Sequence, residues 1–187
     1  LVFALSLVLA PILYKAIGMG GLFSMTAPLA LAAILLVLYV VPEPPPPEHH
    51  EDGPVPFSKI ALDPQLLRLN FGIFTLHLAQ MAMFVVIPLA LVNAAGLALP
   101  EHWKVYLPAL LLSFVLMIPA IIVAEKKNRT KLIFNGAIVL ILVTQLGFWR
   151  FGEGLWSLAF FLFVFFVGFN ILEASLPSMI SRIAPPQ

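Results

Sequence analysis

Cysteine is absent from the 187-residue chain. That excludes disulfide cross-links, thiolate metal sites and cysteine nucleophiles. Charge is nearly as scarce. Asp, Glu, Lys and Arg make up 10% of the residues and the formal net charge is +1, whereas soluble domains carry about 25% charged residues. Without a dominant charge sign there is no electrostatic basis for binding nucleic acid. The polar groups are also too few to coat a water-soluble globule, and a disordered chain needs the opposite bias. What the chain has instead is apolar bulk: 61% hydrophobic residues and a mean hydropathy of +1.05. The solvent for most of this sequence is lipid.

A helix must run about 20 apolar residues to cross a bilayer, because each backbone amide has to be satisfied within its own segment. The polar breaks leave six such stretches, namely Leu1 to Ile17, Leu22 to Val41, Leu66 to Val92, Val105 to Ala124, Leu132 to Trp149 and Leu155 to Ile183. The expected fold is therefore all-α, a polytopic transmembrane helical bundle. The first stretch opens on Leu1 without the basic segment of a signal peptide, and Ala184-Pro185-Pro186-Gln187 trails off just after a crossing. The chain thus reads as an internal part of a longer membrane protein.

Alternating the crossings puts Lys59, Arg68, Lys126, Lys127, Arg129, Lys131 and Arg182 on one side and Lys15, Lys104 and Arg150 on the other. The side richer in basic residues is cytoplasmic by the positive-inside rule. Trp103, Trp149 and Trp156 fall at the opposite interface, where indoles favour the headgroup region. The polar gap over residues 42–65 is then a cytoplasmic linker. Its Pro42-Glu43-Pro44-Pro45-Pro46-Pro47 run lacks amide donors and forms a semi-rigid polyproline II spacer. His49 and His50 beside Glu48, Glu51 and Asp52 read as solvated linker, since adjacent side chains on an extended chain point apart. Asp63-Pro64 is an N-cap followed by proline at the first helical position. The linker divides the chain into helices over 1–41 and helices over 66–187, two blocks suited to moving against each other. Proline also recurs within the spans, at Pro11, Pro28, Pro88, Pro108, Pro119 and Pro177, where membrane helices tolerate it and bend.

Ionisable groups at bilayer depth carry the sharpest functional signal, because each is costly unless it faces a partner or a cavity. His77 and Glu173 qualify. Each has an amide three residues away, Gln80 and Asn170 respectively, on the same broad helical face. His77 lies nine residues beyond Arg68 and Glu173 nine before Arg182, which places both about 13 Å inward from those anchors. An imidazole and a carboxylate at matching depth make a proton or substrate site. The alternatives are an imidazole that merely hydrogen-bonds a neighbouring helix and amides that serve as interhelical glue.

The basic segment Ala124-Glu125-Lys126-Lys127-Asn128-Arg129-Thr130-Lys131 first of all sets topology. Glu125 facing Arg129 is in addition a candidate charge pair for a cytoplasmic gate. This loop resembles the signature of the major facilitator superfamily, roughly Gly-x-Leu-Ala-Asp-Arg-x-Gly-Arg-Arg. Ala124 and Glu125 stand at its Ala-Asp, Lys126 at its first basic position and Arg129 at its later arginine, while Ile121 and Asn128 replace the two glycines. The departures make it similar to the weaker copy in the C-terminal half. The linker then resembles the central loop of a twelve-helix fold, and the six stretches resemble crossings five to ten. Phe169-Asn170-Ile171-Leu172-Glu173-Ala174 with Pro177-Ser178 resembles the tenth crossing of YajR-type, drug-efflux-like proton antiporters.

The resemblance implies that His77 and Glu173, on crossings seven and ten, both face a central cavity, and that the stretch from Leu132 is peripheral. It implies a secondary transporter of the bacterial inner membrane, a monomer when full length, moving a small-molecule substrate and protons by alternating access. Glu173, His77, Asn170 and Gln80 would form the cavity site, with Glu125, Lys126 and Arg129 at the gate. No cofactor, metal or nucleic acid is expected. The competing classes are a membrane-embedded enzyme, which normally gathers more ligating residues than the chain offers, and a non-transporting scaffold.

Overall fold

The computed structural model describes residues 2–42 and 62–183, so the proline-rich spacer with His49 and His50 lies outside the described residues. The chain divides into two compact units with a boundary at residues 55 and 56. The first holds α1 (Val2–Tyr39), and the second holds α2 (Pro64–Asn93), α3 (Trp103–Lys126), α4 (Thr130–Phe151) and α5 (Leu155–Ile183), with a short 3-10 turn at Leu99–Glu101 before α3. The all-helical expectation holds among the described residues. Among the described residues five continuous helices, against six expected stretches, are long and apolar enough to cross a bilayer.

The difference lies in α1. Its helical dihedrals fail at Gly18, where φ is 68° and ψ is −178°, a combination that costs a residue with a Cβ strain and glycine almost nothing. Gly18 falls between the two stretches expected over 1–17 and 22–41. The two stretches run on as one helix with a kink at Gly18. Pro11, Pro28, Pro88, Pro108, Pro119 and Pro177 all sit inside helices.

The ends of the helices in the second unit follow local chemistry. Asp63 caps α2: its side chain accepts from the amides of Gln65 and Leu66 at 2.8 and 3.0 Å, with Pro64 in the first turn. At the other end of that helix Gly96 has a positive φ of 65° and the chain turns away. The α3–α4 connection is a Schellman-type cap. Arg129 N–H donates to the Ala124 carbonyl at 2.9 Å, Asn128 N–H to Glu125 at 3.3 Å, and Asn128 takes a left-handed φ of 52°. After glycine, asparagine is the residue best suited to that position. Asn128 thus occupies one of the glycine positions in the loop signature because the turn demands positive φ there.

Helix α5 is the centre of the second unit. It packs against α4, α3 and α2, and Leu158, Leu162, Phe165, Phe166, Phe169, Leu172 and Leu176 are all buried along it. Their spacing of three and four residues is the helical period. The α4–α5 seam is close. A Cβ at Gly168 would lie 3.1 Å from the Ala137 carbonyl oxygen, and one at Gly147 would collide with the Phe161 ring. Small residues let membrane helices approach where no hydrophobic force draws them together. By contrast, Val115, Leu142 and Trp149 are 63, 58 and 83% exposed, an amount of bare apolar surface that lipid covers and water would not. Hydroxyls within the spans bond backward along their own helix, as Thr75 does to Phe71, Thr144 to Leu140 and Ser175 to Ile171.

Two stability outcomes follow for the full-length protein in detergent, read as thermal unfolding midpoints. Gly168→Leu should destabilise by about 1–3 kcal/mol through overpacking, whereas Leu142→Ala on the exposed face should change the midpoint little. Asn128→Gly should be neutral or slightly stabilising, and Asn128→Val should cost about 1–2 kcal/mol, the penalty of left-handed backbone for a residue with a Cβ. Equal midpoints for the glycine and valine variants would refute the cap.

Candidate functional site

Helices α2 and α5 each carry one ionisable group at mid-span, and the structure brings the two together. His77 Nε2 lies 3.5 Å from Glu173 Oε2, and the two side chains are 44 and 48% exposed. The other imidazole nitrogen is committed. His77 Nδ1 is 2.9 Å from the Ile73 carbonyl one turn earlier, and a carbonyl only accepts, so Nδ1 carries the hydrogen. Nε2 is therefore the nitrogen that gains or loses a proton, and it is the one that faces the carboxyl group. Phe169 closes one side, its ring 6.1 Å from the imidazole and nearly perpendicular to it.

The pair offers one shared acid–base position. With one proton present, either the imidazole is charged and donates to a carboxylate, or the carboxylic acid donates to a neutral Nε2. The two forms differ by a proton shift across a single contact. On its open side His77 joins Ile73, Phe74, Leu78 and Met81 in a groove of about 290 Å³ along α2. That groove is open and its lining surface is apolar.

The remaining sequence candidates separate. Asn170 does not turn toward His77. Its Nδ2 donates to Ser113 Oγ on α3 at 2.7 Å, and that hydroxyl, completely buried, donates to the Leu110 carbonyl at 2.6 Å. Gln80 is partly buried on α2 and does not line the groove around His77. Ser113 carries no charge and has no ionisable group beside it on its own helix to single it out. The signal available was a hydroxyl in mid-span between Pro108 and Pro119.

At the α3–α4 turn, Glu125, Lys126 and Arg129 are exposed. Glu125 and Arg129 do not pair in this structure, and a latch that forms in one state and breaks in another is open here. The physical reason is the cap itself, since the left-handed Asn128 breaks the helical register that would hold residues four apart on one face. Among the described residues no three His, Asp or Glu side chains converge to hold a metal ion.

Comparison with known proteins agrees with a bundle of apolar, membrane-spanning helices. The chain is 41% identical over 186 residues to the inner membrane transport protein YajR of Escherichia coli (strain K12), an alignment covering 98% of this chain and 41% of that protein. It is 29% identical over 184 residues to the uncharacterized transporter BU466 of Buchnera aphidicola subsp. Acyrthosiphon pisum (strain APS), covering 96% of this chain and 47% of that protein. The chain thus spans less than half the length of these curated relatives. No solved structure matches it. The model of the Major Facilitator Superfamily matches residues 1–187 from end to end, and the chain belongs to that superfamily.

Proposed function

We propose that this chain is the central part of a proton-coupled secondary transporter that exports small molecules across the inner membrane by alternating access. The observation that carries the reading is the contact between His77 Nε2 and Glu173 Oε2 at 3.5 Å. Two ionisable groups at bilayer depth are expensive, and sharing a proton across one contact is what offsets that cost. Glu173 is the proton carrier. His77, whose free nitrogen exchanges with it, is a second titrating group that also meets the substrate in the groove along α2.

Alternating access in this class of fold is the rocking of two helical bundles about a mid-membrane site. The helices over 1–41 belong to one bundle, those over 66–187 to the other, and 42–65 is the cytoplasmic linker joining them. The basic residues Lys126, Lys127, Arg129 and Lys131 face the cytoplasm by the positive-inside rule. Trp103, Trp149 and Trp156, all exposed at helix ends, anchor the opposite interface. That the relatives are named transporters supports the transport reading over an enzyme or a scaffold. The full-length protein acts as a monomer.

The test is uptake of a cationic dye, ethidium, into inverted vesicles bearing the full-length protein under an imposed pH gradient. Glu173→Gln keeps the shape and removes the titration, so gradient-driven uptake should fall by about tenfold or more, with expression unchanged. Uptake at the wild-type rate in that variant would remove the proton assignment. His77→Gln retains a polar group without a titratable nitrogen. It should flatten the pH dependence of uptake and lower the rate less than the glutamate change does. An unaltered pH profile would leave His77 no part in coupling.

A further inference from the structure

Asn170 and Glu173 stand three residues apart on α5, about 60° apart around the helix, and each reaches a different neighbour. Glu173 meets His77 on α2, and Asn170 meets Ser113 on α3. The Ser113 hydroxyl is fully buried, accepts the amide hydrogen of Asn170 and donates its own hydrogen to Leu110 in the same turn of α3. Both ends of the contact are thereby fixed: the serine by its carbonyl partner, the amide by the serine. Elsewhere α3 and α5 meet largely through apolar side chains, which pack closely but make no directional bond. A polar contact in a lipid-solvated bundle is directional and sets the angle of a helix about its own axis.

We propose that Ser113 is a positioning residue for the proton site: through Asn170 it sets the rotation of α5 and so aims the Glu173 carboxyl at His77. The proposal rests on the reading of His77 and Glu173 as the site of proton exchange. The magnitudes favour it. Side-chain atoms lie about 5–6 Å from a helix axis, so turning α5 by about 20° would carry the carboxyl about 2 Å sideways. A displacement of that size against a separation of 3.5 Å opens the contact. Loss of the hydroxyl also leaves the Asn170 amide without its partner in the interior, where the amide is best satisfied by turning elsewhere. No charge is involved at Ser113, so the effect is one of geometry.

The test uses the full-length protein with Glu173→Cys as its single thiol and reads how fast a cationic methanethiosulfonate reagent labels it. Ser113→Ala should change the labelling rate by about threefold or more, because thiol reactivity follows exposure. Ser113→Thr keeps the hydroxyl and should restore the original rate. Asn170→Ala should reproduce the Ser113→Ala change, and the two together should do no more than either, since they remove one contact. A rate unmoved by Ser113→Ala and Asn170→Ala, or effects that simply add, overturns the proposal. With Glu173 in place, Ser113→Ala should lower dye uptake about tenfold and shift its pH profile. Wild-type uptake with an unshifted profile also overturns it. Labelling reads geometry and not protons, so it reports on Ser113 even if Glu173→Gln shows that the proton assignment is wrong.

Discussion

Hydrocarbon offers a peptide group nothing to bond, and every feature of this molecule answers to that fact. Each segment that meets lipid must close its own ladder of hydrogen bonds, hence long helices joined by short, well-capped turns. Hydroxyls obey the same rule. Thr75, Thr144 and Ser175 bond to carbonyls of their own helices and so spend their polarity locally. Against that background, a side chain that reaches across to another helix stands out. His77 with Glu173, and Asn170 with Ser113, are such contacts, and both involve α5.

Helix α5 therefore has two kinds of hold on its surroundings. Its apolar stripe from Leu158 to Leu176 packs on three neighbours, supplying adhesion without much angular preference. Its polar contacts through Glu173 and Asn170 supply direction. The α4 side is held by the close approach at Gly168 and Gly147, by the Phe148–Phe161 ring contact and by Ser157, whose hydroxyl donates to the Phe151 carbonyl. Helix α4 carries no ionisable group inside its span. The unit thus has a close-packed seam on one side and one holding the His77–Glu173 contact on the other.

Much of this was legible in the sequence, and for identifiable reasons. The spans from Leu66 onward were readable from length and hydropathy, since the bilayer imposes a minimum run. Asp63-Pro64 announced the start of α2 because a carboxylate followed by proline satisfies the free amides of a first turn. Counting residues from Arg68 and Arg182 placed His77 and Glu173 at one depth, because helical rise is constant. The kink at Gly18 falls between the stretches ending at Ile17 and starting at Leu22, where glycines interrupt the apolar run. What the pattern does not show is which neighbour a side chain meets. Asn170 shares a broad face with Glu173, yet 60° of rotation is enough to send it to a different helix. One-dimensional periodicity resolves faces and does not resolve neighbours.

The imidazole of His77 has one nitrogen tethered to the Ile73 carbonyl, leaving the ring a single port. Such a ring holds at most one exchangeable charge carrier and cannot pass it through from one edge to the other while the tether lasts. It behaves as a docking berth, and any relay beyond it must depart by the same edge on which the carrier arrived. On the proposed reading of proton exchange, traffic through this position is ordered by what stands at that edge, the carboxyl group or a substrate, taking turns.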